Sequence, residues 1–573
     1  MRTRYPFRGP LSVALVTLAA AGCATPAGGS VPGGVVASTD PVASEIGEAI
    51  MRRGGNAVDA AVATHFALAV VNPEAGNIGG GGFLVLRMAD GTIASLDFRE
   101  SAPLGASRDM FLDARGNPTD RSLVGHLATG VPGSVAGMWE VHRRFGTLPW
   151  AELLQPAIDL ADGMVVQERL ETSLSRYADR VGRNPATAAI FLPGGRAPKI
   201  GERLAQPDLA ATLRRIARDG RAGFYAGRTA ELLAAEMRRG GGLITVEDLG
   251  RYAAKWRDPI QFQYRGHRVI SMGPPSSGGA TLAELLNILE GYDLRGMGHH
   301  STLAIHLFAE AAKRAYADRN AYLADPDFVP QPVERMISDD YAAARGAGIR
   351  LDRATPSSAV TPGLGPVPGG APTAPLAEPR HTTHYSIVDA AGNAVAVTTT
   401  LNSLYGNGIT VAGAGFLLNN EMDDFTSRPG SPNQFGLVQG AANEIQPGKR
   451  MLSAMTPTIL LDPDGRLEMV TGSPGGPTII TTVAEMVMDV VDFGMDGAEA
   501  TASSRLHHQH LPDKLQYERG GLPAAVVTAL RALGQKVEER EGYQGDTQTI
   551  MVRPDGTRVR ATDPRRTREK VTL

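Results

Sequence analysis

Four short stretches of the chain have the pattern of β-hairpins, and they limit the folds that the chain can adopt. In each stretch, two runs rich in apolar residues flank a turn that contains glycine, the residue type favoured in tight hairpin turns. The four stretches are residues 83–98, 385–400, 458–471 and 550–561, with their turns at Gly91, Gly392, Gly465 and Gly556. Because strands joined by such tight turns are antiparallel, the sequence predicts antiparallel sheet.

Long amphipathic or alanine-rich stretches between the hairpins predict helices. Residues 41–71 carry apolar side chains at helical spacing and then a nearly continuous apolar run, which Asn72-Pro73 ends. Further helices are predicted over residues 150–162, 207–219, 229–239 and 302–323. Hairpins interleaved with helices indicate an α+β fold, in which helices cover antiparallel sheet. The sequence shows no repeat period and no transmembrane span.

A glycine-rich run at residues 76–82, GNIGGGG, could be mistaken for a nucleotide-binding loop. A phosphate-binding loop follows a strand and begins a helix, so that helix N–H groups face the phosphate. Here a predicted helix precedes the run and a predicted strand follows it. The glycines are therefore better explained by close approach of the backbone to another part of the molecule.

Composition excludes several classes of function. The 573 residues include 42% hydrophobic and 20% charged side chains, typical of a globular chain that can bury a large core. The net charge of −3 gives no electrostatic reason to expect nucleic acid as a partner. The single cysteine excludes an internal disulfide and any site built from several cysteines.

Residues 1–23 have the features of an export signal. Arg2, Arg4 and Arg8 precede an apolar stretch at residues 11–21, which is too short to span a bilayer as a helix. The stretch ends in Ala-Ala-Gly before Cys23, an arrangement that resembles a bacterial lipoprotein signal with Cys23 as the lipidated residue. An ordinary secretory signal is the alternative. Both interpretations predict export, the first to the bacterial periplasm with a membrane anchor.

A Pro/Gly-rich segment, residues 355–380, interrupts the globular pattern with seven prolines and four glycines. Such a composition predicts an extended, exposed and mobile segment, most simply an interdomain linker. Thr382 follows it at the start of a predicted strand. If the chain were cut before Thr382, one residue would carry a hydroxyl and a new α-amine, the pair used in threonine-based nucleophilic catalysis. By itself, the motif is better explained by a surface Thr-Thr pair at the start of a strand.

Several motifs together resemble the γ-glutamyltranspeptidase family of N-terminal-nucleophile hydrolases. The resemblance extends from Val36 to the carboxyl end, and its strongest motifs are GGNAVDAA at 54–61, DFRE at 97–100, TTHYS at 382–386, LLNNEMDDF at 417–425 and TGSPGG at 471–476. It implies an αββα sandwich and a precursor that cuts itself between His381 and Thr382. The products would be a large subunit, residues 24–381, and a small catalytic subunit, residues 382–573, that stay together.

The resemblance also implies an activity and a set of catalytic groups. Thr382 would take the γ-glutamyl group from glutathione or another γ-glutamyl amide and pass it to water or to an amino acid or peptide, without a cofactor. Gly475 and Gly476 would donate backbone N–H groups to the oxyanion, which glycine allows to approach closely. Thr400 resembles the residue that hydrogen-bonds the nucleophile, and Thr398 is a weaker candidate for that role.

Five further residues resemble the family's contacts to the substrate head group. Arg99 would bind the α-carboxylate, because a guanidinium matches a carboxylate bidentately. Glu421 and Asp424 would receive the α-ammonium, and Asn402 and Ser453 would add hydrogen bonds. Without the resemblance, Arg99 would be assigned to a surface ion pair and the two acids to a solvated loop.

Two departures from the family pattern leave the specificity open. Ala454 stands where relatives often carry a second serine, and Phe435, in the lid-like loop 428–440, stands where they often carry tyrosine. The alternatives are a glutaryl-amide hydrolase of the cephalosporin-acylase type and an inactive, lipid-anchored binding protein of the same fold. Intact reactive residues argue against the second. The Glu421/Asp424 pair argues against the first, because a glutaryl group has no amine.

Histidine clusters do not predict a metal site. His507, His508 and His510 fall within four residues, and they cannot all face one ion from a regular helix or strand. No cluster of carboxylates or cysteines has a matching spacing. His299 and His300 follow Gly-Met-Gly and are expected to lie in a loop. No metal and no cofactor are therefore expected.

Overall fold

Two six-stranded antiparallel sheets form the centre of the computed structural model, which describes residues 34–365 and 382–565. The strands of the first sheet, in spatial order, are Gly34–Ser38, Thr383–Asp389, Ala394–Thr400, Gly81–Arg87, Ile93–Phe98 and Lys255–Arg257. Those of the second sheet are Arg558–Thr562, Gln548–Val552, Leu467–Thr471, Thr458–Leu461, His267–Ser271 and Ile260–Tyr264. Smaller sheets join Leu506–His507, Leu515–Glu518 and Val537–Arg540, and Met164–Val165 with Arg203–Leu204.

The two large sheets pack face to face. In the strand Gly81–Arg87, Phe83 and Val85 join the apolar cluster that contains the second sheet, whereas Leu84 and Leu86 join the cluster under the helices of the other face. This alternation follows from the two-residue repeat of a strand, which points successive side chains to opposite faces. Every residue from Gly81 to Leu86 is buried, so this central strand has core on both sides.

Helices cover both outer faces and complete the four layers. Those on the first sheet's side are Pro41–Arg52, Ala57–Val71, Ser134–Phe145, Trp150–Gly163, Glu168–Arg176, Ala178–Gly182, Pro185–Phe191, Pro207–Asp219, Ala222–Tyr225, Gly227–Gly240 and Val246–Arg251. Those on the second sheet's side are Gly278–Glu290, Leu294–Met297, Thr302–Tyr322, Val333–Met336, Asp339–Gly346, Thr478–Val491, Gly497–Ala502 and Ala524–Ala532. In the part of the chain described here, no helix combines the length and apolarity that crossing a membrane requires.

The predicted elements agree with this architecture. All four predicted hairpins are present as adjacent antiparallel strands, and each predicted helix is found within two residues of its expected ends. The helical stretch 41–71 is divided in two, because Asn56 accepts hydrogen bonds from Val58 and Asp59 and so caps a new helix at Ala57. The α+β sandwich expected from the sequence is therefore confirmed.

The glycine run is packed against neighbouring backbone, as predicted. A Cβ on Gly79 would lie 2.1 Å from the Leu417 carbonyl oxygen, and one on Gly80 would lie 2.0 Å from that of Thr400. Real Cβ atoms do not approach so closely, so only glycine fits here. The following helix, Ser134–Phe145, directs its first N–H groups to the Gly80 carbonyl and not to a phosphate.

The Pro/Gly-rich segment 355–380 requires a correction in its first part. Ser357 and Val360 are buried, and His510 bonds both of their carbonyl oxygens, at 3.0 and 3.1 Å. Gly363 donates its N–H to Asp318 at 2.7 Å. Residues 355–365 are thus held against the body and are not simply extended and exposed. The rest of the segment, His381, the export signal and Cys23 lie outside the described residues.

Candidate active site

One cavity of about 340 Å³ lies where the ends of central strands meet several buried loops. It collects residues that are up to several hundred positions apart in the sequence. Eight of the nine predicted catalytic and substrate-binding residues line it: Arg99, Thr382, Thr400, Asn402, Glu421, Asp424, Ser453 and Gly476. Phe435 and Ala454 line it too, and so do residues that the sequence did not single out: Arg319, Leu437, Leu452, Met455, Pro477 and Ile479.

Thr382 lies immediately before the strand Thr383–Asp389, in the interior of the first sheet. The neighbouring strand pairs Thr399 with Thr383, and continuing that antiparallel register by one pair brings Thr400 beside Thr382. Thr400 Oγ1 accepts a hydrogen bond from the Asn402 N–H at 2.8 Å. Thr398, the weaker candidate, is turned to His384, whose Nδ1 lies 2.8 Å from its hydroxyl, and it does not line the cavity.

Asn77 holds the end of the strand that carries Thr400, a contact that the sequence did not predict. Its Nδ2 donates to the Thr400 carbonyl at 3.0 Å and to the Thr399 hydroxyl at 3.2 Å, and its Oδ1 accepts from the Gly80 N–H at 2.9 Å. An asparagine within the glycine run was the available signal, because its amide can bond backbone donors and acceptors together.

Gly475 and Gly476 lie between the strand Leu467–Thr471 and the helix Thr478–Val491. Neither N–H donates to any residue in the described ranges, although Gly475 is next to the cavity and Gly476 lines it. Their φ angles are 140° and 58°, and a Cβ on Gly476 would lie 2.9 Å from the Phe435 ring. Two unpaired backbone donors before a helix N-terminus form a suitable site for an oxyanion.

The charged side of the cavity is built around Arg99, which is fully buried. Its Nη1 bonds Glu421, its Nη2 bonds Asp424, and its Nε donates to the Met451 carbonyl at 3.3 Å. Glu100 lies 3.5 Å from the same guanidinium. Arg99 is thus an internal counter-ion for three carboxylates, and neither the surface ion pair nor the solvated acidic loop describes these residues.

Burial dominates the electrostatics of this cluster. Desolvation raises the pKa of Glu421 and of Asp424, although the nearby Arg99 charge works against the rise. Desolvation likewise raises the pKa of Glu100 to about 7, again opposed by Arg99. A carboxyl with a raised pKa takes up protons more readily than an exposed one. The negative charge of the cluster therefore decreases as the pH falls through the neutral range.

Asn402 and Ser453 present unused hydrogen-bonding atoms in the cavity. Asn402 has a φ of 72° and donates from Nδ2 to the Asn420 carbonyl at 2.9 Å, and its Oδ1 accepts from none of the described residues. Ser453 Oγ accepts from the Met455 N–H at 3.1 Å. That bond uses a lone pair of the hydroxyl and leaves its hydrogen available for a ligand oxygen.

A loop over the cavity carries Phe435, which is buried against Gly476. The Phe435 N–H donates to Asn433 Oδ1 at 3.0 Å, and its carbonyl accepts from Gln509 Nε2 at 3.2 Å. His507 bonds Thr481 and Gln509, so the histidine segment has a structural role beside the cavity. Within residues 34–365 and 382–565, no group of histidine, cysteine or acidic side chains is arranged to hold a metal ion.

The fold has the architecture of N-terminal-nucleophile hydrolases. Two antiparallel sheets are stacked between outer helices, and a threonine precedes an interior strand at the cavity. A solved structure of cephalosporin acylase from Bacillus halodurans superposes with a TM-score of 0.82 over 96% of this chain and 98% of its own, at 27% identity. The model of the family described as Gamma-glutamyltranspeptidase matches residues 43–573. The chain belongs to the gamma-glutamyltranspeptidase family, as its motifs indicated.

Curated relatives support the same assignment over nearly the full length. The glutathione hydrolase proenzyme of Escherichia coli (strain K12) is 49% identical over 535 residues, which is 93% of this chain and 90% of the relative. The acylase ACY 1 proenzyme of Pseudomonas sp. (strain SE83) is 39% identical over 93% of this chain and 92% of its own. Both names describe proenzymes, and this chain is an enzyme of the same family.

Proposed function

We propose that this chain is a self-processing γ-glutamyltransferase and glutathione hydrolase. It removes the γ-glutamyl group from glutathione and other γ-glutamyl amides and passes it to water or to the amine of an amino acid or peptide. One observation carries the proposal: Thr382 shares a single cavity with a buried Arg99–Glu421–Asp424 cluster and with Gly476 of the unpaired glycine donors. The transfer of a zwitterionic acyl group needs a hydroxyl nucleophile, N–H donors for the oxyanion, and charges of both signs to bind the acyl group.

Self-cleavage would create the catalytic amine. The Thr382 hydroxyl attacks the carbonyl of His381, the peptide C–N bond breaks, and an ester to the threonine oxygen forms while its α-amine is released. Water then hydrolyses the ester, giving a large subunit that ends at His381 and the small subunit 382–573. An α-amine has a pKa of about 8, so part of it is unprotonated near neutral pH and can act as a base.

Turnover would use the same groups on the substrate. The Thr382 amine accepts the hydroxyl proton as the oxygen attacks the γ-carbonyl carbon, and the Gly475 and Gly476 N–H groups bond the developing oxyanion. The amine returns the proton to the leaving nitrogen as the amide C–N bond breaks, which leaves a γ-glutamyl ester. Water or an acceptor amine then attacks this ester and regenerates the Thr382 hydroxyl. The side chain of Thr400, next to Thr382 in register, would orient that hydroxyl.

Recognition of the donor would proceed by exchange of ion partners. In the structure, Arg99 bonds Glu421 and Asp424. A γ-glutamyl group brings one carboxylate and one ammonium. The carboxylate can take N–H groups of Arg99 and the Ser453 hydroxyl, while the ammonium takes the two acids and Asn402 Oδ1. Net charge in the cavity is unchanged by this exchange, which limits the desolvation cost of burying a zwitterion.

A glutaryl-amide hydrolase is the second candidate. One observation favours it, which is that relatives and a structural neighbour are named acylases. Ala454 does not separate the two candidates, because glutaryl and γ-glutamyl groups both carry the carboxylate. Against it, a glutaryl group leaves Glu421 and Asp424 without a cation from the ligand. Because unpaired buried carboxylates are costly, the acids favour a donor that carries an amine.

The central experiment is Thr382→Ala on the full chain. The variant should remain a single uncut chain and should release product from a γ-glutamyl anilide at least roughly 10⁴-fold more slowly, as expected when a nucleophile is removed. Thr383→Ala is the matched control, because the Thr383 hydroxyl bonds Thr39 at 2.9 Å. The control should be cut and active. Two chains from Thr382→Ala would refute both the nucleophile and the cut site.

Export and lipidation of Cys23 are part of the proposal, and they rest on the amino-terminal sequence alone. Intact mass of the protein purified from membranes of an expressing bacterium tests them together with the cut. A large subunit that begins at Cys23 with added acyl mass supports the lipoprotein. An unmodified start at another residue supports the ordinary secretory signal instead.

A further inference from the structure

A second guanidinium, that of Arg319, lines the catalytic cavity. Arg319 lies on the helix Thr302–Tyr322 and is 1% exposed. Its Nε donates to Ser277 Oγ at 2.9 Å and its Nη1 donates to Asn320 Oδ1 at 2.8 Å. Both partners are uncharged. In the part of the chain that the structure describes, Nη2 has no hydrogen-bond acceptor and no carboxylate lies within 4.0 Å of the guanidinium.

Other buried arginines in this protein have an acid as partner. Arg450 pairs with Asp97, and Arg505 pairs with Asp489 at 3.1 Å. Burial lowers the pKa of Arg319 to about 10, although the charge of Asp424 works against the fall, so the side chain still carries its charge at neutral pH. Burying a cation without an anion costs free energy. A buried guanidinium at the cavity wall that forms no ion pair with a described acid is explained by an anionic group of the ligand that binds next to it.

Arg319 and Ser453 belong to the same wall of the cavity. The Ser277 hydroxyl, which accepts from Arg319, donates to the Ser453 carbonyl at 2.6 Å, and the Ser277 N–H donates to the same oxygen at 2.8 Å. Ser453 has a hydroxyl hydrogen that no described residue accepts. A carboxylate bonded by Ser453 would therefore meet Arg319 from the adjoining position.

Arg99 alone has few N–H groups left to bond a further carboxylate. Three of its five N–H groups, on Nε, Nη1 and Nη2, already bond Met451, Glu421 and Asp424, which leaves one on each Nη for a ligand. An incoming carboxylate would also be repelled by the two acids. Arg319 feels the charge of Asp424 but forms no ion pair within 4.0 Å with any described acid, so its guanidinium can offset this repulsion.

We propose that Arg319 binds the α-carboxylate of the donor together with Ser453, and so makes that carboxylate a requirement of the enzyme. The inference rests on the proposed γ-glutamyl function and assigns one more residue to its specificity. Arg99 then serves both to bind the carboxylate and to hold Glu421 and Asp424 in place for the ammonium.

Three anilide donors separate this role from a structural one. The γ-glutamyl donor carries carboxylate and ammonium, the glutaryl donor only the carboxylate, and the 4-aminobutanoyl donor only the ammonium. Arg319→Gln should lower kcat/KM for the first two by roughly 10- to 100-fold, the effect of a lost hydrogen bond to a charged group. It should leave the 4-aminobutanoyl donor unchanged. Arg319→Lys should lie between wild type and Arg319→Gln for the carboxylate donors.

Matched variants test the alternatives. Arg314→Gln, on the same helix but paired with Glu310 at 2.9 Å and not at the cavity, should change none of the three donors. Ser277→Ala removes the hydroxyl that joins Arg319 Nε to the Ser453 carbonyl, whereas the Ser277 N–H keeps its bond to that carbonyl. If this variant alone reproduces the donor pattern of Arg319→Gln, the pattern follows from the lost hydroxyl bridge and the direct contact is wrong. An equal loss for all three donors with Arg319→Gln also overturns the proposal.

Two further outcomes are distinguishable. If Arg319→Gln is not cut, the three donors are compared with Arg319→Lys instead. A donor preference equal to that of the wild type in Arg319→Lys counts against the contact. If wild-type protein is cut but releases no aniline from the γ-glutamyl anilide, the proposed function fails. If Arg319 is not a carboxylate contact, the wild-type enzyme is active on the γ-glutamyl donor, and the Arg319 substitutions do not change its preference among the three donors.

Discussion

The two halves of the cavity are built from different chemistry. The half around Thr382 consists of hydroxyls and backbone: Thr400, Gly475 and Gly476 carry no charge, and neither glycine N–H donates to any described residue. The half around Arg99 consists of buried charges that are already bonded to one another. In the first half, the N–H groups of Gly475 and Gly476 can bond charge that develops during the reaction. The second must break its own ion pairs to bind a ligand, so it sets specificity.

The largest effect that tests this division comes from Gly476→Ala. Its φ of 58° and the Phe435 ring 2.9 Å from a Cβ leave no space for the methyl group, so the N–H should move away from the oxyanion. We expect kcat to fall by about 10²–10³-fold, as when one oxyanion donor is lost. Gly465→Ala, at a φ of 79° with open space around its Cβ, measures the backbone strain alone and should keep its activity. Equal kcat values in these two variants would contradict the oxyanion role.

A smaller effect is expected from Ala454→Ser in the charged half. Ala454 lines the cavity beside Ser453, and a hydroxyl there can donate to the α-carboxylate. A hydrogen bond to a charged group contributes about 1.5–3 kcal/mol. KM for the γ-glutamyl donor should therefore fall, by roughly tenfold or somewhat more, with little change in kcat. A rise in KM would show that the carboxylate is bound elsewhere, and Ser453→Ala provides the opposite change for comparison.

The smallest effect is a pH dependence that only the charged half should show. Burial raises the pKa of Glu421 and Asp424 and brings that of Glu100 to about 7. As the pH falls, Glu100 takes up a proton near pH 7, and the raised pKa values of Glu421 and Asp424 let them take up protons at a higher pH than exposed acids would, so the substrate ammonium loses its partners. The ratio of kcat/KM for γ-glutamyl over glutaryl donors should then fall, by at most about tenfold per pH unit for one proton. Since the Thr382 amine affects both donors, a constant ratio would count against the acids.

Much of the fold was predictable because its signals are local. Turn residues such as Gly392 indicate hairpins, and the spacing of apolar residues and caps such as Asn56 indicate helices. Each of these signals lies within a few residues of sequence. The anchoring of residues 355–365 was not predictable. It depends on His510 and Asp318, which are distant in sequence and are brought close only by the tertiary structure.

The site divides in the same way. The motif around Thr382 and the Gly475-Gly476 pair could be identified from short stretches and a family resemblance. The pairing of Arg99 with Glu421 joins residues 322 positions apart, and burial, which no motif reports, turns them from surface charges into an ion cluster. Arg319 was missed because an arginine in an alanine-rich helix is most simply a solvent-facing residue. Only packing from Ala304 to Ala321 shows otherwise.

The order of strands in the two sheets determines what a cut before Thr382 could do to the assembly. In the first sheet, Thr383–Asp389 and Ala394–Thr400 lie between Gly34–Ser38 and Gly81–Arg87, and the second sheet also mixes strands from both sides of the cut. The two products would be interlocked, with backbone hydrogen bonds across three boundaries. We therefore expect no exchange of subunits between molecules in native buffer, and separation only when both sheets unfold. The cut can therefore create a reactive amine although the two subunits do not dissociate when the enzyme is diluted.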